Sequence, residues 1–161
     1  MRIDRPKETL DPNAKKVWQI NGLITFFIFI LISIAFFIAR YFVFEAPMFI
    51  GFILVGVSVF IAFLQIIIIP PIRMIYWGYE IKDEEIDIQY GIFVIKRSLI
   101  PMQRIQHVDT EHGPIMRLFN LATLSVSTAG TTHKIPALQY ETAVTLRKQI
   151  SKLAQVSEED V

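Results

Sequence analysis

Two long apolar runs dominate the first half of the chain. Residues 23–39 are apolar apart from Thr25 and Ser33, and residues 48–69 contain no ionisable side chain. Each run is close to the ~20 residues that a helix needs to cross the hydrocarbon core of a bilayer. We therefore predict transmembrane helices at residues 20–40 and 48–69. The segment between them is short enough only for a turn, so the two helices form an antiparallel hairpin.

The first run has an alternative reading as a secretory signal peptide, because Ser33, Ile34 and Ala35 loosely resemble a cleavage site. The run is longer than the hydrophobic core of a signal peptide, which has about 7–15 residues. Polar and mixed residues also fill the segment before it. These features favour a membrane span.

Basic residues near the spans predict the orientation. They are Arg2, Arg5, Lys7, Lys15 and Lys16 before the first span, Arg40 between the spans, and Arg73 and Lys82 after the second. Lys and Arg are enriched on the cytoplasmic side of membrane proteins. We predict a multi-pass protein of the cell membrane with a cytoplasmic N-terminal segment at residues 1–19 and both termini in the cytoplasm.

Small residues four apart are candidates for helix packing inside the bilayer, where helices associate by close approach. The candidates are Ala35 with Ala39, Ser58 with Ala62, and Gly51, which would oppose Ala39 near the turn. Contact with a partner subunit would use the same residues. Neither predicted span contains the buried ionisable groups of an ion pathway, which argues against a transporter that acts alone.

After residue 70 the pattern changes to alternation with a period of two. Ile86, Ile88 and Tyr90 occupy one face of a predicted strand, and polar residues occupy the other. Residues 123–128 alternate in the same way. Near the C-terminus the spacing becomes helical over about residues 139–155, with the apolar positions Ala143, Leu146, Ile150 and Leu153.

These elements predict an α+β fold: an N-terminal transmembrane hairpin, then six or seven short antiparallel strands closed by one C-terminal helix. The predicted organisation is a hairpin at 20–69, a cytoplasmic domain at 70–156 and an acidic tail at 157–161. The chain has no cysteine, which excludes disulfides, thiolate metal sites and thiol catalysis. A formal net charge of +1 gives no indication of a nucleic-acid partner.

Separated motifs in the second half resemble a known family. In chain order they are WGYEI at 77–81, YG at 90–91, IPMQRIQHV at 100–108, GPIMR at 113–117, LATL at 121–124, TAG at 128–130 and IP at 135–136. This order resembles the bacterial pleckstrin-homology-like (bPH2, YdbS-like) membrane proteins. The resemblance covers about residues 70–155, and the preceding hairpin also matches the layout of the family.

The resemblance implies a pleckstrin-homology-like antiparallel β-barrel or sandwich capped by a C-terminal helix, on the cytoplasmic face of a bacterial membrane. It implies no enzymatic activity and no cofactor. The implied partner is a larger membrane protein of the same family, and some members look connected to tolerance of membrane-active peptides. In the eukaryotic lipid-binding relatives the first hairpin loop is basic, whereas here it reads KDEE at 82–85. Three carboxylates would repel an inositol phosphate at that loop.

Several polar residues allow other readings. His107, Asp109 and Glu111 share one face of a predicted strand, and with His112 and His133 they suggest a metal site. A solvated strand face explains the same pattern. Ser125 and Ser127 lack the surrounding pattern of a nucleophile elbow. We therefore predict no catalytic, cofactor-binding or metal-binding residue.

Three basic residues, Lys96, Arg97 and Arg104, are candidates for contact with an anionic membrane surface, where each would contribute ~1 kcal/mol. An ordinary solvated surface is the alternative. The leading hypothesis is a membrane-anchored, non-enzymatic interaction or scaffold module that binds another membrane protein or forms a homo-oligomer. An accessory subunit of an export or antimicrobial-peptide-tolerance complex is the second hypothesis, and a membrane-surface enzyme is the third.

Overall fold

The structure is a computed structural model that describes residues 6–42, 45–92 and 94–159. The chain divides into two compact units. One comprises Trp18–Pro71, and the other comprises the residues up to Val17 together with those from Ile72 onward. Among the described residues, two helices are long and apolar enough to cross a membrane, Ala14–Phe42 and Met48–Tyr76. Residues 43 and 44 of the predicted turn lie outside the described part of the chain.

Helix α1 comprises Ala14–Phe42 and begins well before the apolar run. The Asp11 carboxylate accepts a hydrogen bond from the Asn13 backbone N–H at 2.8 Å, and the Asp11 carbonyl accepts one from Ala14 N–H at 2.9 Å. These bonds satisfy donors that a helix N-terminus leaves unpaired. Hydropathy detects the lipid-length part of a helix, and it therefore misses a polar first turn that is stabilised by capping.

The second long helix has three parts: α2 at Met48–Phe63, a π-helical segment at Leu64–Ile68 and α3 at Ile69–Tyr76. Pro70 and Pro71 have no backbone N–H, so the carbonyl of Ile66 loses its donor in both the α and the π register. The side-chain amide of Gln19 in α1 donates to this carbonyl at 3.1 Å. A hydrogen bond between the helices thus replaces one that the prolines removed.

Six strands in the described part of the chain form two antiparallel sheets. The first sheet has the order β1-β2-β3, and the second has the order β4-β5-β6. The strands are β1 Gly78–Ile81, β2 Glu85–Tyr90, β3 Lys96–Pro101, β4 Ile105–Glu111, β5 Leu121–Thr128 and β6 Thr132–Gln139. A short 3₁₀ turn, Met102–Arg104, joins β3 to β4, and helix α4, Pro114–Leu118, joins β4 to β5. Pro114 is at the start of α4, as its missing N–H favours.

Helix α5, Tyr140–Glu159, follows β6 and contacts all three strands of the second sheet. Its Ala143 and Ile150 are completely buried. Apolar residues from both sheets join them in the core, including Ile86, Ile88, Leu124, Val126 and Ile135. Burial of such side chains contributes roughly 1.5–3 kcal/mol each and dominates the stability of this unit.

The predicted α+β fold is confirmed, with two open three-stranded sheets and a C-terminal helix. Two local features differ from expectation. Helix α5 continues through Glu159, so residues 157–159 of the predicted acidic tail are helical, and residues 160–161 lie outside the described part. Strand β2 is buried on both faces, since Asp87 is 0% and Gln89 8% exposed. The prediction of a solvated polar face on β2 was wrong.

Candidate interaction surfaces

An N-terminal arm, residues 6–13, packs on the first sheet. Glu8 and Tyr79 form an antiparallel bridge at the outer edge of β1, with N–H to carbonyl distances of 2.9 and 3.1 Å. Pro6 is buried beside Gly78, and Lys7 forms an ion pair with Glu80 at 3.2 Å. The arm therefore supplies hydrogen-bond partners to an edge strand that would otherwise be open.

The same arm reaches the second sheet. The backbone N–H of Asp11 donates to the carbonyl of Ala137 in β6 at 3.2 Å, and the Gln139 amide donates to the Asp11 carboxylate at 3.1 Å. Ala137 lies where the pairing of β5 with β6 is irregular, and it has a φ of 53°. The side chains of Leu10, Ala14 and Val17 are at most 3% exposed. The arm and the first turn of α1 thus belong to the core of this unit.

The arm divides the sheet edges into two classes. It contacts the outer strands β1 and β6, whereas the other two outer strands, β3 and β4, have no further strand beside them among the described residues. An unpaired edge presents a row of backbone donors and acceptors that a strand from another chain can use. Strands β3 and β4 are therefore the candidate docking edges.

Strand β4 lies beside helix α5, and a cavity of about 560 Å³ opens between them. Its lining comes from one end of β4, including Gln106 and His107, and from Ser151, Ala154 and Gln155 of α5. The pairing of β4 with β5 is irregular between Ile105 and His107. This irregularity interrupts the regular ladder at the cavity. We call the cavity between β4 and α5 the β4–α5 groove.

The three basic candidates for membrane contact are not brought together. The Arg97 guanidinium forms a bidentate pair with the Asp87 carboxylate, with Nε–Oδ1 at 2.9 Å and Nη2–Oδ2 at 2.5 Å. Lys96 begins β3, whereas Arg104 follows its other end and lines a second cavity with Thr128 and Thr131. Because Asp87 has no exposed area, Arg97 stabilises a buried charge.

The polar residues considered for a metal site are dispersed. The Glu111 carboxylate accepts hydrogen bonds from the Lys134 ammonium at 2.9 Å and from the Ser125 hydroxyl at 3.3 Å. The His112 ring packs on Tyr140, with their centroids 4.9 Å apart. Among the described residues there is no group of three or more His, Asp or Glu side chains that could hold a metal ion.

Among the described residues of this unit, two side chains have displaced pKa values. The hydrogen bond from Lys134 lowers the pKa of Glu111, and burial followed by the charge of Glu8 raises the pKa of Tyr79. Both shifts move the pKa of the group further away from 7. Glu111 therefore stays ionised and Tyr79 stays protonated near pH 7, and neither is prepared to exchange a proton as a catalyst would be.

In the hairpin unit, Gly51, Ser58 and Ala62 are buried. A Cβ atom at Gly51 would collide with the Phe37 ring of α1, so the glycine permits close approach of the two helices. Ala39 is half-buried and Ala35 is exposed. The residue opposite Gly51 is thus Phe37, where the sequence suggested Ala39. The helix-packing role of the five small residues stays a prediction.

Comparison with known proteins places these features in a family. The family model described as "Bacterial PH domain" matches residues 20–154. The chain belongs to this bacterial PH domain family. The match includes most of the hairpin as well as the sheets, so the family unit contains both. The resemblance inferred from the sequence motifs is confirmed.

Two curated relatives of this bacterial PH domain chain come from Bacillus subtilis (strain 168). The chain is 43% identical over 158 residues to "UPF0699 transmembrane protein YdbS", covering 98% of this chain and 99% of the relative. It is 31% identical over 75 residues to "UPF0699 transmembrane protein YdbT", covering 47% of this chain and 15% of that relative. The chain is thus a bacterial membrane protein, and its family is not a known family of enzymes. No solved structure matches it significantly.

Sequence reasoning missed the arm, although one signal for it was present. Asp11 followed by Pro12 and Asn13 is typical of a helix N-terminus. Asp and Asn cap the first turn, and Pro is accepted there because its missing N–H is not needed for a helical hydrogen bond. Leu10, Ala14 and Val17 then recur at helical spacing ahead of the apolar run. The docking of this segment on β1 and β6 of the PH domain had no local signal.

Proposed function

We propose that this chain is a membrane-anchored, non-enzymatic interaction module that binds a larger membrane protein of its own family. The observation that carries the proposal is the open edge of β4 beside the β4–α5 groove. The exposed residues of β4 include Gln106, His107 and Asp109. An extended segment of the partner would add to β4 as a further strand and place alternate side chains in the groove.

Strand β4 suits this role better than β3 for two reasons. It has seven residues, Ile105–Glu111, and a cavity beside it that side chains can enter. Strand β3 has six residues and ends in Pro101, which cannot donate a backbone hydrogen bond. Backbone pairing supplies affinity, and the groove supplies specificity.

The size of the relatives supports the choice of partner. YdbS matches this chain over nearly its whole length, whereas the 75 matched residues amount to only 15% of YdbT. One bacterium thus has both a short protein like this chain and a much longer relative. A second copy of this chain is the alternative occupant of the same edge.

We also propose that both termini lie in the cytoplasm. The packing of the arm on β1 and β6 supports a location of the N-terminal segment and the PH domain on the same side of the membrane. The basic residues on that side include Lys7, Lys15, Lys16 and Arg73, against Arg40 between the spans. Single cysteines at Lys7 and Glu45 test this in whole cells. An impermeant maleimide should label the second and not the first.

The proposed partner is tested by affinity purification of the tagged full-length chain from native membranes, followed by mass spectrometry. We expect stoichiometric recovery of a larger membrane protein of the family. Recovery of this chain alone, or only of its homo-oligomer, would contradict the proposal. Recovery with an exporter instead would favour the accessory-subunit hypothesis.

A matched pair of variants tests the docking edge. Ser151→Trp would fill the groove from α5, and we expect it to lower partner recovery about tenfold. Gln149→Trp is the control, because Gln149 is also exposed on α5 but lies two residues away, on nearly the opposite side of the helix. Equal recovery with both variants would show that the partner binds elsewhere.

A further inference from the structure

One end of the first sheet carries a loop with exposed apolar side chains. The loop follows Tyr90, the last residue of β2, and leads to Lys96, the first residue of β3. Its Val94 is 69% exposed and its Ile95 is 51% exposed. Exposed apolar residues that cluster in this way mark a contact surface of a soluble domain.

The strand directions fix which end of the sheet this is. Strand β1 pairs antiparallel with β2, so Gly78 at the start of β1 lies opposite Gln89 near the end of β2. Only Trp77 separates Gly78 from Tyr76, the last residue of the apolar helix Met48–Tyr76. The loop is therefore at the end where the chain leaves a candidate membrane span and enters the sheet.

Aromatic residues line the same end. The rings of Trp77 and Tyr90 are stacked, with their centroids 5.8 Å apart and an interplanar angle of 26°. Trp and Tyr are enriched at the boundary between hydrocarbon and water in membrane proteins. Ile75, in the last turn of α3, is 64% exposed and adds to the apolar surface.

The charge of the side chains also differs between the two ends of the sheet. The loop is flanked by Lys96, whereas the turn between β1 and β2 at the opposite end contains Asp83 and Glu84. The two ends are separated by the length of β2, which for its six residues is about 20 Å. An anionic lipid surface would attract the first end and repel the second.

Gly91 lets the chain turn tightly after the end of β2. Gly91 has a φ of +136°, and a Cβ atom there would collide with the carbonyl oxygen of Val94. This φ is accessible to glycine and is unfavourable for other residues. Gly91 therefore brings the Val94 backbone close to the end of β2, and Val94 and Ile95 lie next to this turn.

We propose that the β2–β3 loop inserts Val94 and Ile95 into the boundary of the lipid bilayer. Trp77 and Tyr90 lie at the level of the headgroups, and Lys96 faces anionic headgroups. The loop is then a third membrane contact in addition to the two helices. It fixes the orientation of the PH domain at the surface, so that one end of the first sheet faces lipid and the acidic turn faces the cytoplasm. The proposal does not depend on the identity of a protein partner.

The absence of native cysteine allows a direct test with the full-length chain. The variants Val94→Cys and Ile95→Cys, each labelled with an environment-sensitive fluorophore, are reconstituted in vesicles of phosphatidylcholine and phosphatidylglycerol. Asp83→Cys, at the opposite end of the sheet, is the control. We expect blue-shifted emission at positions 94 and 95 and loss of intensity when the lipid acyl chains are brominated. Asp83→Cys should show neither change.

Two results would overturn the proposal. In one, the labels at 94 and 95 respond to brominated lipid no more than the label at 83. In the other, they are protected from aqueous iodide but not quenched by brominated lipid, which would mean that protein covers the loop. Leu99→Cys, 54% exposed but further along β3, should give a smaller lipid response than Val94→Cys. Circular dichroism of each variant confirms that the fold is retained.

Discussion

Different kinds of contact stabilise the interior of each of the two units of this chain. In the hairpin unit, Trp18–Pro71, the Phe37 ring lies against Gly51, and the Gln19 amide donates a hydrogen bond to the Ile66 carbonyl. The PH domain relies on an apolar core, a buried ion pair and an arm from a distant part of the sequence. In lipid no hydrophobic force drives helices together, so packing contacts and hydrogen bonds determine how strongly the helices associate. In water the burial of apolar surface dominates the free energy of folding. The loss of one buried side chain therefore costs more stability in the PH domain than in the hairpin unit.

The largest effect should come from Arg97 in the PH domain. Arg97→Ala leaves the Asp87 carboxylate buried without its partner, and we expect a loss of about 3–5 kcal/mol in the free energy of unfolding. Urea unfolding of the full-length chain in detergent, followed by circular dichroism, measures it. Arg104→Ala, at an exposed position, is the control. Equal stability of the two variants would mean that Asp87 is hydrated.

The next effect concerns the arm. Leu10 is 3% exposed, and Leu10→Ala should destabilise the PH domain by about 2–4 kcal/mol, through lost burial and the cavity that remains. The same unfolding assay applies. Thr9→Ala changes an exposed neighbour and should be nearly neutral. If both variants unfold like the parent chain, the arm is not part of the core.

A smaller effect is expected at the hairpin seam. Gly51→Val would force the Phe37 ring away from α2, and overpacking of this kind costs about 1–3 kcal/mol. Gly56→Val is a matched control, because a Cβ atom there meets nothing within 4 Å. Unfolding of the helices by added dodecyl sulfate separates the two variants. A larger loss of stability for Gly56→Val than for Gly51→Val would mean that α2 contacts α1 through the face that carries Gly56.

The smallest effect should follow from Gln19→Leu, which removes the donor to the Ile66 carbonyl. Side-chain hydrogen bonds between membrane helices average about 0.6 kcal/mol, and we expect a loss of about that size. Asn21→Leu, at an exposed position on the same helix, is the control in the dodecyl sulfate assay. A loss above about 2 kcal/mol would indicate that the carbonyl has no other source of hydrogen bonds.

Local patterns in the sequence were sufficient for the hairpin and for most strands. A span needs a continuous apolar run, and a half-buried strand needs alternation, and both are visible within a few residues. The ion pair of Asp87 with Arg97 was not predictable in this way. Alternation alone assigned Asp87 to solvent and grouped Arg97 with Lys96, because only the register of β2 on β3 brings the two charges together.

The arm escaped prediction for a related reason. Its contacts join Glu8 to Tyr79 and Asp11 to Gln139, residues 128 positions apart in the second case. No period in residues 6–13 reveals the two edges that they cover. The candidate site was therefore only partly accessible from the sequence: strand edges were expected, but which edges stay open is decided by the arm.

The arm also sets an order of events during synthesis. It leaves the ribosome before the strands that it contacts, since its partners are Tyr79 in β1 and Ala137 in β6. Both membrane helices have been translated before β1 exists, and β6 is the last strand among the described residues. Domains usually close as soon as their segments emerge, from the N-terminus onward. Here the arm must wait for β6, so both membrane helices are translated before the PH domain can close.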